Sequence, residues 1–216
     1  MKLKHLGIFG ILSLLSYTAM VVFSPLAYPG YDWLSRAVSD LTAVGAPSAA
    51  LAERLNALFG PCALVSVMAV CVGASSLRSG LLRTGISLFA VMEWITAVGY
   101  RMFPLVEGEA MTSFSNAMHI LVTVLVVLFS VLSLVLIAAG GRKEPMKDLG
   151  RWAVLCLAAM VTGALGTGIM PRAVFGLFER LSAFSAVVFN AVLGAFLWMG
   201  RFPEPEGAGQ EHGKDA

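Results

Sequence analysis

The chain has 216 residues, of which 58% are hydrophobic and only 13% are charged, and its formal net charge is +2. Its mean hydropathy is +0.82. A soluble domain usually has about 25% charged residues, so the core of a soluble protein could not bury this much apolar surface, whereas a bilayer accepts it directly. The composition therefore indicates an integral membrane protein. The small net charge and the lack of a basic stripe argue against a nucleic-acid partner.

Apolar segments of about 20 residues are typical of membrane-spanning helices. The chain has six of them, at approximately 6–24, 55–77, 84–102, 117–139, 151–170 and 183–200. They predict an all-α polytopic membrane protein whose six transmembrane helices form three hairpins within one domain, residues 1–200. The remaining segment, 201–216, is rich in proline, glycine and charge, which predicts a disordered cytoplasmic tail.

Lysine and arginine are distributed unequally between the connections. With the N-terminus inside, the inner side carries ten of these residues and the outer side five. The positive-inside rule therefore predicts a multi-pass protein with its N- and C-termini in the cytoplasm. The basic start and following apolar stretch also resemble a signal peptide, but about 18 apolar residues exceed the usual length of such a region and favour a first span.

The first outer connection, YPGYDWLSRAVSDLTAVGAP, covers residues 28–47 and holds an unusual charge pattern. From Asp32 to Leu41 the apolar residues fall on one helical face and the polar residues, including Ser39, on the other. Arg36 is four residues from both Asp32 and Asp40, so a helix would let it pair with either. The pattern predicts a short interfacial helix. Two interpretations stay open: a solvated connector, or a lid whose charges face a polar pocket.

Two polar residues lie near the middle of predicted spans. Glu93 is an acidic residue in the third span, and Asn190 lies at a similar depth in the sixth. A carboxyl at this depth is costly when ionised, so it should be neutral, paired or turned toward the bundle. A structural hydrogen bond between helices and a role in proton-coupled transport are both open for Glu93.

Further polar residues fall at the predicted outer face, namely Arg101, Glu107, His119 and Arg180. Together with Asp32, Arg36, Ser39 and Asp40 they form a candidate ligand-binding set. Arginines beside a histidine and carboxylates suit an anionic head group. The same residue types also suit general acid/base hydrolysis, with His119 and Asp40 as the catalytic candidates. The chain has no G-x-S-x-G, H-E-x-x-H or P-loop pattern that would select one chemistry.

The cysteines and histidines predict no metal site and no cofactor. Cys62, Cys71 and Cys156 all lie within apolar segments and none forms a C-x-x-C pair. Buried cysteines of this kind usually serve as small apolar packing residues.

Four short motifs carry a resemblance to a known family: AVSDLTAVGAPSA (37–49), FPLVEG (103–108), NAMH (116–119) and GLFERL (176–181). With them, residues 5–200 resemble the bacterial "domain of unknown function 998" family of six-span membrane proteins. The resemblance implies a location in the bacterial cytoplasmic (inner) membrane. That family often has an acidic residue two positions after the proline, where this chain has Val106 and places its acids at Glu107 and Glu109. More distantly, the first outer connection is similar to that of eukaryotic six-span proteins that modulate autophagy or remodel GPI-anchored lipids.

The sequence as a whole predicts a protein whose outward face binds a lipid head group or another small anion. Its expected partners are membrane lipids. Two alternatives remain: an intramembrane hydrolase or transferase that acts on lipid, and a proton-coupled transporter of small solutes.

Overall fold

The structure, a computed structural model, describes residues 2–142 and 146–202. In these ranges it is helical, without a β-strand. Its helices are α1 (Ile8–Phe23), α2 (Val38–Leu41), α3 (Ala49–Asn56), α4 (Phe59–Ala74), α5 (Gly80–Met102), α6 (Phe114–Gly140), α7 (Lys147–Ile169) and α8 (Phe175–Trp198). Short 3₁₀ turns extend α1 at both ends, at Leu3–Gly7 and Ser24–Ala27, and precede α8 at Arg172–Val174.

Six helical segments are long and apolar enough to cross a membrane: Leu3–Ala27, Ala49–Ala74, Gly80–Met102, Phe114–Gly140, Lys147–Ile169 and Arg172–Trp198. This confirms the prediction of an all-α protein with six apolar spans. The chain is a multi-pass membrane protein.

The bounds of two spans differ clearly from those predicted. The second begins at Ala49 rather than near residue 55, and the sixth begins at Arg172 rather than near residue 183. Hydropathy places the start of a span after the last charged residue, and here Glu53, Arg54, Glu179 and Arg180 precede the apolar stretches. The helices nevertheless continue through these residues. Glu179 and Arg180 bind the backbone of the connection at residues 33–38, whereas Glu53 and Arg54 are exposed.

The six spans pack as a closed bundle. Each packs against the next along the chain, and α8 returns to α1. Helix α8 also contacts α4, and 61% of its apolar window is buried, more than in any other span. Phe189 of α8 meets Phe89 of α5 in an edge-to-face contact with ring centroids 5.3 Å apart. Helix α8 is thus the most buried of the six spans.

Glycines allow α1 and α8 to approach each other closely. A Cβ atom added at Gly194 would lie 2.4 Å from the carbonyl oxygen of Gly7 and 2.8 Å from Oγ of Ser66. One added at Gly10 would lie 2.9 Å from the carbonyl oxygen of Asn190. Small residues at such crossings let helix backbones touch. Within a bilayer the hydrophobic effect does not drive helices together, so their association depends on close packing of this kind.

The predicted helix of the first connection is shorter than expected. Only Val38–Leu41 is α-helical, and residues 33–36 form a turn in which the N–H of Arg36 donates to the carbonyl oxygen of Asp32 at 2.9 Å. The carboxylate of Asp32 accepts the N–H of Leu34 at 3.1 Å and the hydroxyl of Ser35. These local bonds favour a turn over a helix. The prediction that this segment lies in the membrane interface stays a prediction.

The end of the chain is described only as far as Phe202. That side chain is 6% exposed and belongs to the core, where it lies against Gly73. Residues 203–216, which hold most of the tail predicted to be disordered, lie outside the described residues.

We expect Gly194→Ala to destabilise the protein by about 1–3 kcal/mol, because its methyl group meets the backbone of α1 at Gly7. Gly168→Ala is the matched control, since nothing lies within 4 Å of a Cβ atom at that helical position. Thermal unfolding in detergent measures both. Equal melting temperatures for the two variants would contradict the close approach of α1 and α8.

Candidate functional site

Two connections meet at one end of the bundle. The first, residues 28–48, links α1 to α3, and the second, residues 103–113, links α5 to α6. The N–H of Val44 donates to the carbonyl oxygen of Leu105 at 2.8 Å, and the N–H of Glu107 donates to that of Val44 at 3.0 Å. Gly45 follows in the left-handed region, with φ +91°, where glycine is favoured. The two connections therefore form one continuous backbone surface.

Asn116 shapes the second connection. This side chain, in the first turn of α6, is 1% exposed. Its Oδ1 accepts the N–H of Val106 at 2.8 Å. Its Nδ2 donates to the carbonyl oxygens of Val106, Glu109 and Ala110 at 3.3–3.4 Å. One amide thus holds the backbone that carries Glu107.

Arg180 holds the first connection onto α8. Its side chain is 4% exposed, and Nη1 donates to the carbonyl oxygens of Trp33 and Arg36 at 2.9 Å each. Nη2 donates to the hydroxyl of Tyr31, and the guanidinium lies 4.4 Å from the centroid of the Trp33 ring. A Cβ atom at Gly176 would lie 2.2 Å from the carbonyl oxygen of Arg36, so the connection rests directly on the helix there. Both Nη atoms of Arg180 thus bind the first connection, so this residue has a structural role.

The neighbouring carboxyl, Glu179, supports α2. Its Oε2 accepts the N–H of Val38, the first residue of α2, at 3.0 Å. An acidic group at a helix N-terminus satisfies a free N–H and interacts favourably with the helix dipole. On the same helix, Oδ2 of Asp40 accepts the N–H of Ala37 at 3.2 Å.

Tyr28 links Arg36 to Glu107. Nη1 of Arg36 donates to the hydroxyl of Tyr28 at 2.5 Å, and that hydroxyl donates to the carboxylate of Glu107. The guanidinium of Arg36 also lies 4.9 Å from the centroid of the Tyr28 ring. The hydrogen bond to Glu107, followed by burial, raises the pKa of the Tyr28 hydroxyl. Tyr28 therefore stays neutral and joins the two connections through side chains as well as backbone.

A cavity of about 150 Å³ lies between the two connections. We call it the loop cavity. Its polar lining consists of Tyr28, Arg36, Asp40, Glu107, Glu109 and Asn116. The lining thus combines one guanidinium with three carboxyl groups. Asp40 is half-buried, whereas Glu107 and Glu109 are exposed, and burial raises the pKa of the Asp40 carboxyl.

The structure brings together some of the predicted site residues and separates others. Arg36, Asp40 and Glu107 line the loop cavity. Asp32 and Arg101 are exposed, Ser39 is half-buried on α2, and Arg180 is buried beneath the first connection. The expected pairing of Arg36 with Asp32 or Asp40 is wrong. Within residues 2–142 and 146–202, the one ion pair within 4.0 Å is that of Arg151 with Asp148. The reason is that Asp32 and Asp40 both accept backbone N–H groups nearby, whereas Arg36 turns toward Tyr28.

His119 and Asp40, the two catalytic candidates, have different surroundings. Nδ1 of His119 donates to the carbonyl oxygen of Phe103, 3.0 Å away at the end of α5. The imidazole packs on the ring of Tyr100 with centroids 4.8 Å apart. Asp40 lines the loop cavity and His119 is not part of that lining. His119 thus satisfies the C-terminus of α5.

Glu93 and Asn190 meet within the bundle. Nδ2 of Asn190 donates to Oε1 of Glu93 at 2.9 Å and to the carbonyl oxygen of Ala63 at 3.4 Å. The two residues are 4% and 1% exposed. The structure therefore gives Glu93 a partner on α8, as expected for an intramembrane carboxyl that faces the bundle.

The candidate set drawn from the sequence did not include Tyr28, Glu109 and Asn116, which line the cavity, or Glu179, which supports α2. Tyr28 is typical of an interfacial aromatic and Asn116 of a helix start, so their residue types alone carry no signal for a cavity. The part of the chain that the structure describes has no group of three histidine, cysteine or acidic residues able to hold a metal ion.

The fold and the site define a class: a six-span membrane protein whose first two connections on one face close over a small polar cavity. The family model described as "Protein of unknown function (DUF998)" matches residues 11–196, and the chain belongs to this family. The comparison with curated proteins gives no match, and neither does the comparison with solved structures. The eukaryotic resemblance stays a prediction.

Arg180→Ala should release the first connection, because the carbonyl oxygens of Trp33 and Arg36 lose a charged donor in a buried place. We expect a loss of about 3 kcal/mol. Hydrogen exchange should become faster at the N–H groups of Val38 and Val44. Arg172→Ala removes the same charge at an exposed site near the start of α8 and should leave exchange unchanged. Equal protection in both variants would contradict the anchoring role.

Asp40→Asn should stabilise the protein at neutral pH. Because burial raises the pKa of Asp40 above its ordinary 3.8, its stabilising contribution is complete below that pH and is lost as the pH rises through the folded pKa. Asparagine keeps an oxygen for the N–H of Ala37 without the charge. Melting temperatures between about pH 4 and 7 measure the effect.

For Asp32→Asn we expect the opposite dependence of stability on pH. The hydroxyl of Ser35, followed by the N–H of Leu34, lowers the pKa of Asp32. Its contribution is therefore present above pH 3.8 and lost as the pH falls. Matching pH profiles for the two variants would contradict the different surroundings of the two carboxyl groups.

Proposed function

We propose that this protein binds the head group of a phospholipid in the loop cavity, and that the phosphate lies against Arg36. The observation that carries the proposal is the position of this guanidinium. It lines a cavity at the end of a membrane-spanning bundle, and among the described residues its side chain donates to the hydroxyl of Tyr28 alone. Other donors of Arg36 are free for the charge-assisted bonds that phosphate accepts well.

The charge of the lining refines the class of ligand. A simple anion at Arg36 would face Asp40, Glu107 and Glu109, whose combined charge exceeds that of one arginine. A head group that carries both a phosphate and an amine matches the lining better, because the ammonium lies near the carboxylates while the phosphate stays on the guanidinium. The cavity thus favours a zwitterionic head group of the ethanolamine type over the small anion that the sequence predicts.

The size of the cavity agrees with this class. Its volume of about 150 Å³ corresponds to roughly five times the share of one water molecule in the liquid. That is enough for a compact head group and too little for acyl chains, which would remain in the bilayer beside the spans.

The alternatives gain less support. An intramembrane hydrolase or transferase needs His119 and Asp40 in one cleft, and the loop cavity contains only the second. A proton-coupled transporter would work through Glu93, whose observed hydrogen bond to Asn190 is also what a purely structural carboxyl would make. We therefore retain head-group binding as the proposed function.

We expect phosphatidylethanolamine to raise the melting temperature of the detergent-solubilised protein, because a ligand that binds only the folded chain stabilises it. Arg36→Gln should weaken the apparent affinity about tenfold or more through loss of a charged hydrogen bond. Arg101→Gln, which removes one exposed arginine at the same end of the bundle, is the control.

One variant, Glu107→Gln, and one other lipid, phosphatidylcholine, test recognition of the amine separately from recognition of the phosphate. Glu107→Gln should weaken binding of phosphatidylethanolamine, since it removes a partner of the amine. Phosphatidylcholine, whose amine cannot donate hydrogen bonds, should bind less tightly. A response to phosphatidylethanolamine that is identical in the Arg36 and Arg101 variants would refute the site.

A further inference from the structure

A second and larger cavity lies at the opposite end of the bundle, between α7 and α8. Its volume is about 260 Å³. The residues that line it include Asp148, Arg151, Trp152, Leu155, Phe196 and Arg201. The positive-inside rule predicts that this end faces the cytoplasm. We call it the basic groove.

The lining changes from charged to apolar with depth. Asp148, Arg151, Trp152 and Leu155 lie on one face of α7, and Leu155 is about 6 Å further along the helix axis than Arg151. Leu155 is 60% exposed and Trp152 is 43% exposed, so this face is open to the surroundings of the bundle. A charged mouth followed by tryptophan and aliphatic side chains is the sequence of layers at a membrane interface.

The end of α8 places a second arginine at the mouth of the groove. The N–H of Arg201 donates to the carbonyl oxygen of Phe196 at 3.0 Å, and the N–H of Gly200 donates to that of Leu197 at 3.0 Å. This is the Schellman arrangement, and Gly200 adopts the left-handed φ of +68° that it requires. Phe202 is then buried in the core, so the backbone of Arg201 is held on both sides.

Both arginine side chains are exposed. Arg151 pairs with Asp148 at 3.0 Å, but the two side chains are 66% and 61% exposed. Ion pairs this exposed contribute little, so Arg151 can exchange Asp148 for a stronger anion. Arg201 is also exposed. Basic pockets between membrane helices recognise the phosphates of anionic lipids.

We infer that the basic groove binds an anionic phospholipid of the phosphatidylglycerol type. Its phosphate lies between Arg151 and Arg201, and an acyl chain packs along Leu155 and Phe196. The inference is independent of the loop cavity, since the two sites share no residue and lie at opposite ends of the bundle. It differs in ligand class as well, because here two arginines face a single carboxylate.

The test is a titration of the full-length protein in detergent with phosphatidylglycerol, followed by its melting temperature. Arg151→Gln combined with Arg201→Gln should weaken the apparent affinity about 30-fold, since each basic residue contributes roughly five- to sixfold at a lipid surface. Arg78→Gln combined with Arg83→Gln removes the same charge from exposed positions at the same end and should bind as the unchanged protein does.

Asp148→Asn gives a change of opposite sign. It removes the competing carboxylate and frees Arg151, so phosphatidylglycerol should bind several-fold more tightly. General loss of stability cannot mimic a gain in affinity, and this variant keeps the test decisive if the double arginine variant folds poorly. Arg36→Gln should leave the response to phosphatidylglycerol intact, which separates this site from the loop cavity.

Three results would overturn the inference. The first is equal weakening in the two double variants, which would show a nonspecific charge effect. The second is an unchanged or weaker affinity in Asp148→Asn. The third is an equal stabilisation by glycerol phosphate without acyl chains, which would show that a free phosphate compound and not a lipid occupies the groove.

Discussion

The buried guanidinium of Arg180 is the interaction on which one end of this protein depends. A cation that is 4% exposed near the end of an apolar helix needs acceptors for its donors, which lipid does not supply. Helix α8 supplies one, the carbonyl oxygen of Gly176. The first connection supplies three more, the carbonyl oxygens of Trp33 and Arg36 and the hydroxyl of Tyr31. Because these partners are mostly backbone, satisfying Arg180 also determines the path of residues 31–37.

That path has consequences for the rest of the face. With its backbone oxygen bound to Arg180, Arg36 directs its own guanidinium to Tyr28, which in turn donates to Glu107 of the second connection. Glu179, the neighbour of Arg180, accepts the first N–H of α2 and so positions Asp40. The loop cavity therefore arises where the first connection, held on α8, meets the second, held on α6. Its charged lining follows from how each connection satisfies its own polar groups.

The two ends of the bundle differ in how they hold charge. At the loop cavity, carboxyl groups outnumber arginines, Tyr28 joins the side chains of Arg36 and Glu107, and Asn116 holds the backbone of the second connection. At the basic groove, two arginines are exposed and Asp148 is their single acidic neighbour in the lining. Between them, the glycine contacts of α1 with α8 and the buried pair of Glu93 with Asn190 hold the helices together. The two ends of the bundle therefore present different arrangements of charge.

Composition and hydropathy alone determined that this is a six-span membrane protein, because the bilayer imposes one dominant rule on the chain: about 20 apolar residues for each crossing. The local motifs also predicted the family, and they placed Arg36, Asp40 and Glu107 at one face. Only the tertiary structure decided which charges meet. The spacing of Asp32, Arg36 and Asp40 indicated ion pairs along one face of a helix. In the structure both aspartates instead accept hydrogen bonds from backbone N–H groups, and Arg36 donates to the hydroxyl of Tyr28. These bonds are short-range in the chain and replace pairings that contribute little. The backbone path that allows them is held by distant residues, Arg180 and Glu107, whose positions no local pattern contains.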